Sequence, residues 1–229
     1  MRPSGKSAVP LLSVVLIAAP AGTVRAQETH DHLEVQCVEV PPGKKRPDYG
    51  CWVIATAHAL TFSEPSIYWH LRKFQSREAA EAAKTLTGVV GEVDGQVWLS
   101  DFGPRDMTLK GGEKVAVVGP LELPQANSYD AVFMNAVMRP RDRSRVHTHP
   151  GPEAWFMLSG DQCLETPAGA RRASAGASMT VPPNVPMELM IVGKQVRHSL
   201  VVIVHDSTQL KASPSDWKPA GLCLQQGDR

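Results

Sequence analysis

The sequence predicts one all-β domain, an antiparallel sandwich or barrel, with an N-terminal extension that carries one short helix. Three observations point there. Asp94-Gly95, between residues 89–93 and 96–102, is among the strongest short hairpin signals. Turn signals then recur at Gly111-Gly112, Pro150-Gly151-Pro152, Ser159-Gly160-Asp161, Pro167-Ala168-Gly169, Pro182-Pro183-Asn184 and Gly193-Lys194. Their mostly short spacing suits consecutive antiparallel strands rather than βαβ units. Thirdly, a helix signal stands out at one place only, and no internal repeat is evident.

Taken in order, residues 1–26 read as a secretory signal peptide. Arg2 and Lys6 form a positive start, residues 8–19 an apolar stretch, and Val24-Arg25-Ala26 a small-residue cleavage site before Gln27. That stretch is too short for a membrane span, which needs roughly 20 apolar residues. The remainder of the 229 residues is enough for one well-packed domain. The whole chain has a formal charge of +1, so losing Arg2, Lys6 and Arg25 leaves −2. Neither nucleic acid nor an anionic membrane is an expected partner on that balance, and no membrane anchor remains after cleavage.

Residues 27–50 are polar and Pro/Lys-rich and read as an exposed arm, with His30 and His32 solvated. Residues 67–74 read as a strand. Ser76 is a good N-cap for a helix over 77–84, with Glu78 at its start and Lys84 at its end to suit the dipole. The barrel with its extension is expected over 51–215 and a tail over 216–229. Four cysteines in an exported chain suggest disulfides, with three pairings open. Cys37–Cys51 with Cys163–Cys223 is favoured because the first closes a short local loop. No CxxC, GxSxG, Walker A or GxGxxG run occurs.

The informative stretch is His147-Thr-His149-Pro-Gly-Pro-Glu153-Ala-Trp-Phe-Met-Leu-Ser-Gly160. Residues two apart on a strand share a face, so His147 and His149 can aim at one point. The turn at 150–152 lets the chain reverse and return the Glu153 carboxylate to the same point. Two imidazoles and one carboxylate on one side of an ion leave its other positions open, the facial arrangement associated with iron and oxygen.

This stretch resembles the first motif of the cupin superfamily, G(x)5HxH(x)3–4E(x)6G, from His147 to Gly160, although Arg141 occupies the leading glycine position. The second motif, G(x)5PxG(x)2H(x)3N, is echoed by Gly176 and Pro182. There Asn184 replaces the glycine, Met187 the histidine that would be the fourth metal ligand, and Ile191 the asparagine. The two motifs span roughly residues 141–191, and the mature chain resembles exported bacterial single-domain cupins. The resemblance implies a cupin-type, jelly-roll-like antiparallel β-barrel, a metal at His147, His149 and Glu153, and allows a homodimer.

Strand parity puts Trp155 and Met157 on the face of Glu153, and Leu189 and Ile191 on that of Met187. Together they predict a largely apolar pocket around the ion for a small organic molecule. Met187 reads as pocket lining rather than a ligand, a thioether being acceptable chiefly to copper. Arg145 is a candidate contact for a substrate carboxylate, whereas Arg139, Arg141 and Arg143 read as a solvated run. His58, His70, His198 and His205 are expected in structural or surface roles.

The expected cofactor is one divalent transition metal, iron or manganese foremost, with copper, nickel or zinc as alternatives. The expected activity is that of a metal-dependent oxygenase acting on a small aromatic or acidic substrate. The competing readings are a metal-dependent isomerase or lyase, a non-catalytic binder of metal or small ligand, and a metal-free barrel. The expected location is the periplasm or the outside of the cell.

Overall fold

Residues 131–138, Asn135 apart, and 200–204 are continuously apolar, which in a strand means that both faces are covered. The structure, a computed structural model describing Met1, residues 37–40 and residues 46–224, shows what covers them. The segment expected to be a signal peptide, residues 1–26, therefore lies, beyond Met1, outside the described residues. In chain order the elements are β1 (Cys37–Glu39), β2 (Gly50–Leu60), β3 (Ser66–Phe74), α1 (Arg77–Ala83), β4 (Val89–Val93) and β5 (Gln96–Gly103). Then come β6 (Glu113–Glu122), β7 (Tyr129–Met138), β8 (His147–Thr148), β9 (Glu153–Ser159) and β10 (Asp161–Thr166). The chain finishes with β11 (Gly169–Ser174), β12 (Ser178–Val181), β13 (Glu188–Val192), β14 (Arg197–Asp206) and β15 (Ser213–Pro214).

A six-stranded sheet in the order β1-β2-β7-β14-β9-β12 forms the middle layer. On β7, Ala131 and Phe133 enter one core while Val132, Met134, Ala136 and Met138 enter another. On β14, Leu200, Val202 and Val204 join the first core, and Val201 and Ile203 the second. Period-two alternation thus feeds two cores from one strand.

The first core is closed by Trp69, Leu71, Trp98 and Phe102 of a four-stranded sheet, β4-β5-β3-β6. The second is closed by Leu164, Leu189 and Ile191 of a three-stranded sheet, β11-β10-β13. The β7–β14 pairing is antiparallel and runs without a break from Arg197↔Met138 to Asp206↔Tyr129. This is the all-β, jelly-roll-like architecture that the sequence predicts. Its N-terminal extension is larger than one strand and a helix, because residues 66–122 build a whole sheet against the back of the barrel.

Local signals hold where the backbone chemistry is explicit. Ser76 caps α1 by accepting a hydrogen bond from the Ala79 N–H at 3.2 Å. Asp94 and Gly95 both take positive φ, 51° and 76°, as the tight β4–β5 hairpin requires. The helix covers the outer face of the four-stranded sheet, where Ala80 packs with Phe74, Val90, Val97 and Leu99.

Both disulfides join the favoured partners, Cys37 to Cys51 and Cys163 to Cys223. Two such bonds fit a non-reducing compartment. The first pins β1 parallel to β2, with Cys37 and Cys51 as direct register partners. Residues 37–39 of the expected arm are therefore an edge strand, although Val38 and Glu39 remain exposed. The second disulfide holds the C-terminal segment over the outer face of β10 and β13, where Cys163 and Cys223 pack with Met190 and Val192. No helix among the described residues is long and apolar enough to cross a membrane.

The singleton histidines take structural roles. His58 bonds to Asp130 at 2.8 Å, His198 to Asn135 at 2.6 Å, and His205 to the Asp206 carbonyl at 2.8 Å. His70 is buried in β3 and bonds to the Pro104 carbonyl at 2.8 Å. Burial pushes the His70 imidazole below its ordinary 6.5, against the carbonyl and Asp101, which favour the charged form. Burial likewise lowers His198. Below about pH 6.5 the unfolded chain therefore binds protons that these folded histidines refuse, so their contribution to stability falls with falling pH. Melting temperatures between pH 7.5 and 5.5 are expected to drop less steeply for His70→Gln than for the parent; equal slopes would remove His70 as a cause.

Candidate metal centre

The segment leading to β8 is fastened along β13. Bridges Arg143↔Met190 and His147↔Met187 run antiparallel, and the His147 and Met187 backbones exchange hydrogen bonds of 3.1 and 2.9 Å. Arg143 is half-buried and pairs with Glu188 at 3.7 Å, whereas Arg139 stays exposed to solvent beside Asp142, which it meets at 3.3 Å. Arg141 is exposed at φ 72°.

After His149 the chain turns through Pro150-Gly151-Pro152 against β14, whose Val204 N–H donates to the Pro152 carbonyl at 3.2 Å. Glu153 then opens β9, between Val181 of β12 and Ile203 of β14. The turn thereby delivers the carboxylate beside the imidazoles.

One ligand atom from each of His147, His149 and Glu153 lies within 4.8 Å of the others. The two rings stand nearly perpendicular, 85° apart, with centroids separated by 4.8 Å. Each ring spends its Nδ1 on a backbone carbonyl: His147 on Arg145 at 2.7 Å, and His149 on Lys211 at 2.5 Å. A carbonyl accepts only, so both rings carry their proton on Nδ1 and turn an Nε2 lone pair inward.

His149 Nε2 and Glu153 Oε2 are 2.9 Å apart and both buried, yet neither has a donor. Two facing acceptors at that distance need a cation or an extra proton between them. Burial opposes a proton on His149, but the adjacent Glu153 charge, with the Lys211 carbonyl, outweighs it and raises the imidazole above its ordinary value. Burial lowers His147 despite the Glu153 charge, so this ring stays neutral and available as a ligand. Histidines oriented through Nδ1 by carbonyls, with one carboxylate alongside, are the donor set of a divalent transition metal, and the residues fit such an ion.

The centre opens on a cavity of about 320 Å³. Trp155, Leu189 and Arg145 line it as parity predicts. Met157, Met187 and Ile191 do not: all three are fully buried in the second core. Parity gives a side chain's face but not its depth, and two residues along a strand move it by roughly 7 Å. Met187 sits opposite His147 but packs into the apolar core.

Sequence reasoning missed several parts of the wall, among them Ala136 and Met138 of β7. Residues 210–214 cross the cavity mouth, where β15 pairs with β8 and Lys211 supplies the carbonyl that orients His149. The Cys37–Cys51 disulfide forms part of another side. Arg197, at 1% exposure, reaches the cavity from β14. Burial pushes its guanidinium down to about 9, with the Glu153 charge resisting. The signal for Arg197 was present, since it shares strand parity with Val201 and Ile203, both cavity-lining.

No family model and no curated protein match the chain. Solved structures do. It is similar to a cupin-like protein from Thermotoga maritima, at 17% identity over 43% of this chain and 74% of that one, with a TM-score of 0.37. A double-stranded β-helix protein from Klebsiella pneumoniae is similar at 17% identity, over 44% of this chain and 84% of that one, with a TM-score of 0.35. A recombinant oxalate oxidase in complex with glycolate is similar at 16% identity, over 36% of this chain and 45% of its own, with a TM-score of 0.32. These likenesses concern the fold alone.

Proposed function

We infer that the chain is an exported, cupin-type metalloprotein that holds one divalent transition metal through His147, His149 and Glu153 and acts on a small organic molecule as a metal-dependent oxygenase. The supporting observation is the pair of facing acceptors, His149 Nε2 and Glu153 Oε2, at 2.9 Å. Two nitrogens and one carboxylate oxygen favour iron or manganese over copper, and the thioether in the cavity wall, Met138 Sδ, is taken up by Arg197 Nη2 at 3.2 Å. Bound there, the ion supplies Lewis acidity and open positions for oxygen and substrate.

The chain's own residues do the rest. The Arg145 and Lys211 carbonyls fix the imidazoles, while Trp155, Leu189, Val201 and Ile203 present an apolar wall that restricts water. Export is supported by the two disulfides and by the three-part pattern of residues 1–26, and places the protein in the periplasm or outside the cell.

Elemental analysis of the natively purified protein tests the reading. One iron or manganese per chain is expected, falling to below a tenth in His147→Ala and Glu153→Ala, with far-ultraviolet circular dichroism unchanged. Equal content in all three, or none in the parent, would end it. Substrate-dependent oxygen uptake separates the oxygenase from the isomerase or lyase reading.

A further inference from the structure

We propose that Arg197 is the carboxylate anchor of the cavity, so that the ligand of this site is a small organic acid. The proposal deepens the metal-centre reading and rests on it for the ligand's other end.

Arg197 is 1% exposed, and no described carboxylate forms an ion pair with it. Its Nη1 donates to the Ala136 carbonyl at 3.3 Å and to Ser199 Oγ at 2.5 Å, and its Nη2 to Met138 Sδ at 3.2 Å. All three acceptors are neutral, and Nε has none. Arg72, equally buried, shows how this fold treats a structural guanidinium: Asp101 meets it at 2.7 Å. A buried charge is costly unless an opposite charge or strong hydrogen bonds compensate it. Arg197 lacks the charge partner that Arg72 has.

The cavity gives the reason. Arg197 lines it together with all three metal-site residues, and the buried charged side chains of the wall are Arg197 and Glu153, Arg145 being exposed and Lys211 half-buried. A divalent cation held by Glu153 would spend that carboxylate's negative charge and leave one positive charge over. A buried space with this balance calls for an anion. The guanidinium fork is matched to a carboxylate, which bonds to two N–H groups at once. The apolar remainder of the wall, including Trp155, Leu189 and Val201, suits a short hydrocarbon or aromatic body, and about 320 Å³ limits its size.

The test compares acetate, pyruvate and benzoate with acetamide, pyruvamide and benzamide, by titration calorimetry on the purified holoprotein and on Arg197→Met and Arg197→Lys. At least one acid is expected to bind the parent ten or more times tighter than its amide. Arg197→Met is expected to lose that preference while keeping its metal, and to melt at a higher temperature because an unpaired buried charge has been replaced by an apolar side chain of similar length. Arg197→Lys should keep part of the preference.

Acids bound equally by Arg197→Met and the parent, amides bound as well as acids, or no acid bound by the parent would each overturn the proposal. So would an Arg197→Met that loses acid binding together with its metal and its melting temperature, since the arginine would then be structural. The metal-centre reading fails separately: a parent without metal whose acid binding still depends on Arg197 would refute that reading and leave the anchor standing.

Discussion

Gly151→Ala is expected to destabilise the protein by more than about 3 kcal/mol and to abolish metal retention, a large effect for one added methyl group. A Cβ at Gly151 would lie 1.8 Å from the Val204 carbonyl oxygen, 2.8 Å from its carbon and 2.9 Å from His205 Cα. All three are backbone atoms of β14, which is paired on both sides, to β7 and to β9. Nothing flexible can yield. Pro150 and Pro152 flank the glycine and restrict its own rotation. The turn must therefore lift away from β14, and His149 and Glu153 stand at its two ends. Urea denaturation with metal analysis on the same samples checks both effects. A variant with parental stability would show that the turn does not press on β14.

Asp101→Ala is expected to cost about 3–5 kcal/mol, again measured by urea denaturation, because it strands a buried guanidinium. Asp101 is 0% and Arg72 3% exposed at the side chain, with 2.7 Å between them. The carboxylate also accepts from the Thr85 N–H at 2.9 Å and hydroxyl at 2.8 Å, which fixes the chain leaving α1. Arg72 keeps bonds to the Lys110, Gly111 and Ala83 carbonyls, but these do not neutralise its charge. The double variant Arg72→Met/Asp101→Ala is expected to recover much of the loss, since no isolated charge remains. Failure of the double variant to recover would point to the Thr85 contacts as the dominant contribution.

What the sequence made legible was local. The spacing from His147 to Glu153 carries the site because two strands and a tight turn are short-range geometry. The Ser76 cap, the Asp94-Gly95 hairpin and the Cys37–Cys51 bond are readable for the same reason, and Cys163–Cys223 follows as the pair that remains. The strand Gly50–Leu60 was missed: Ala55, Ala57 and the polar Thr56 and His58 blur its alternation, and bulges interrupt its pairing with β7.

The three-layer arrangement was hidden as well, because an uninterrupted apolar strand says that both faces are covered and not by what. Met157 and Ile191 show the limit of parity, which sees faces and is blind to how far a cavity extends. The Lys211 carbonyl that orients His149 had no sequence signal, since every residue carries one. Arg197 was readable in principle. Only burial distinguishes a cationic side chain on an inward strand position from one at the surface.

The oxygen that aims His149 belongs to a residue 62 positions further along the chain. A polypeptide that had emerged from the ribosome only as far as Asp206 would already contain every coordinating side chain, yet one imidazole would lack its guide. Orientation of that imidazole therefore waits for the segment carrying Lys211 to fold back onto β8. A host unable to oxidise Cys163 and Cys223 would produce molecules complete in composition but loose in their grip on an ion, so yield of folded protein and yield of loaded protein should diverge between hosts.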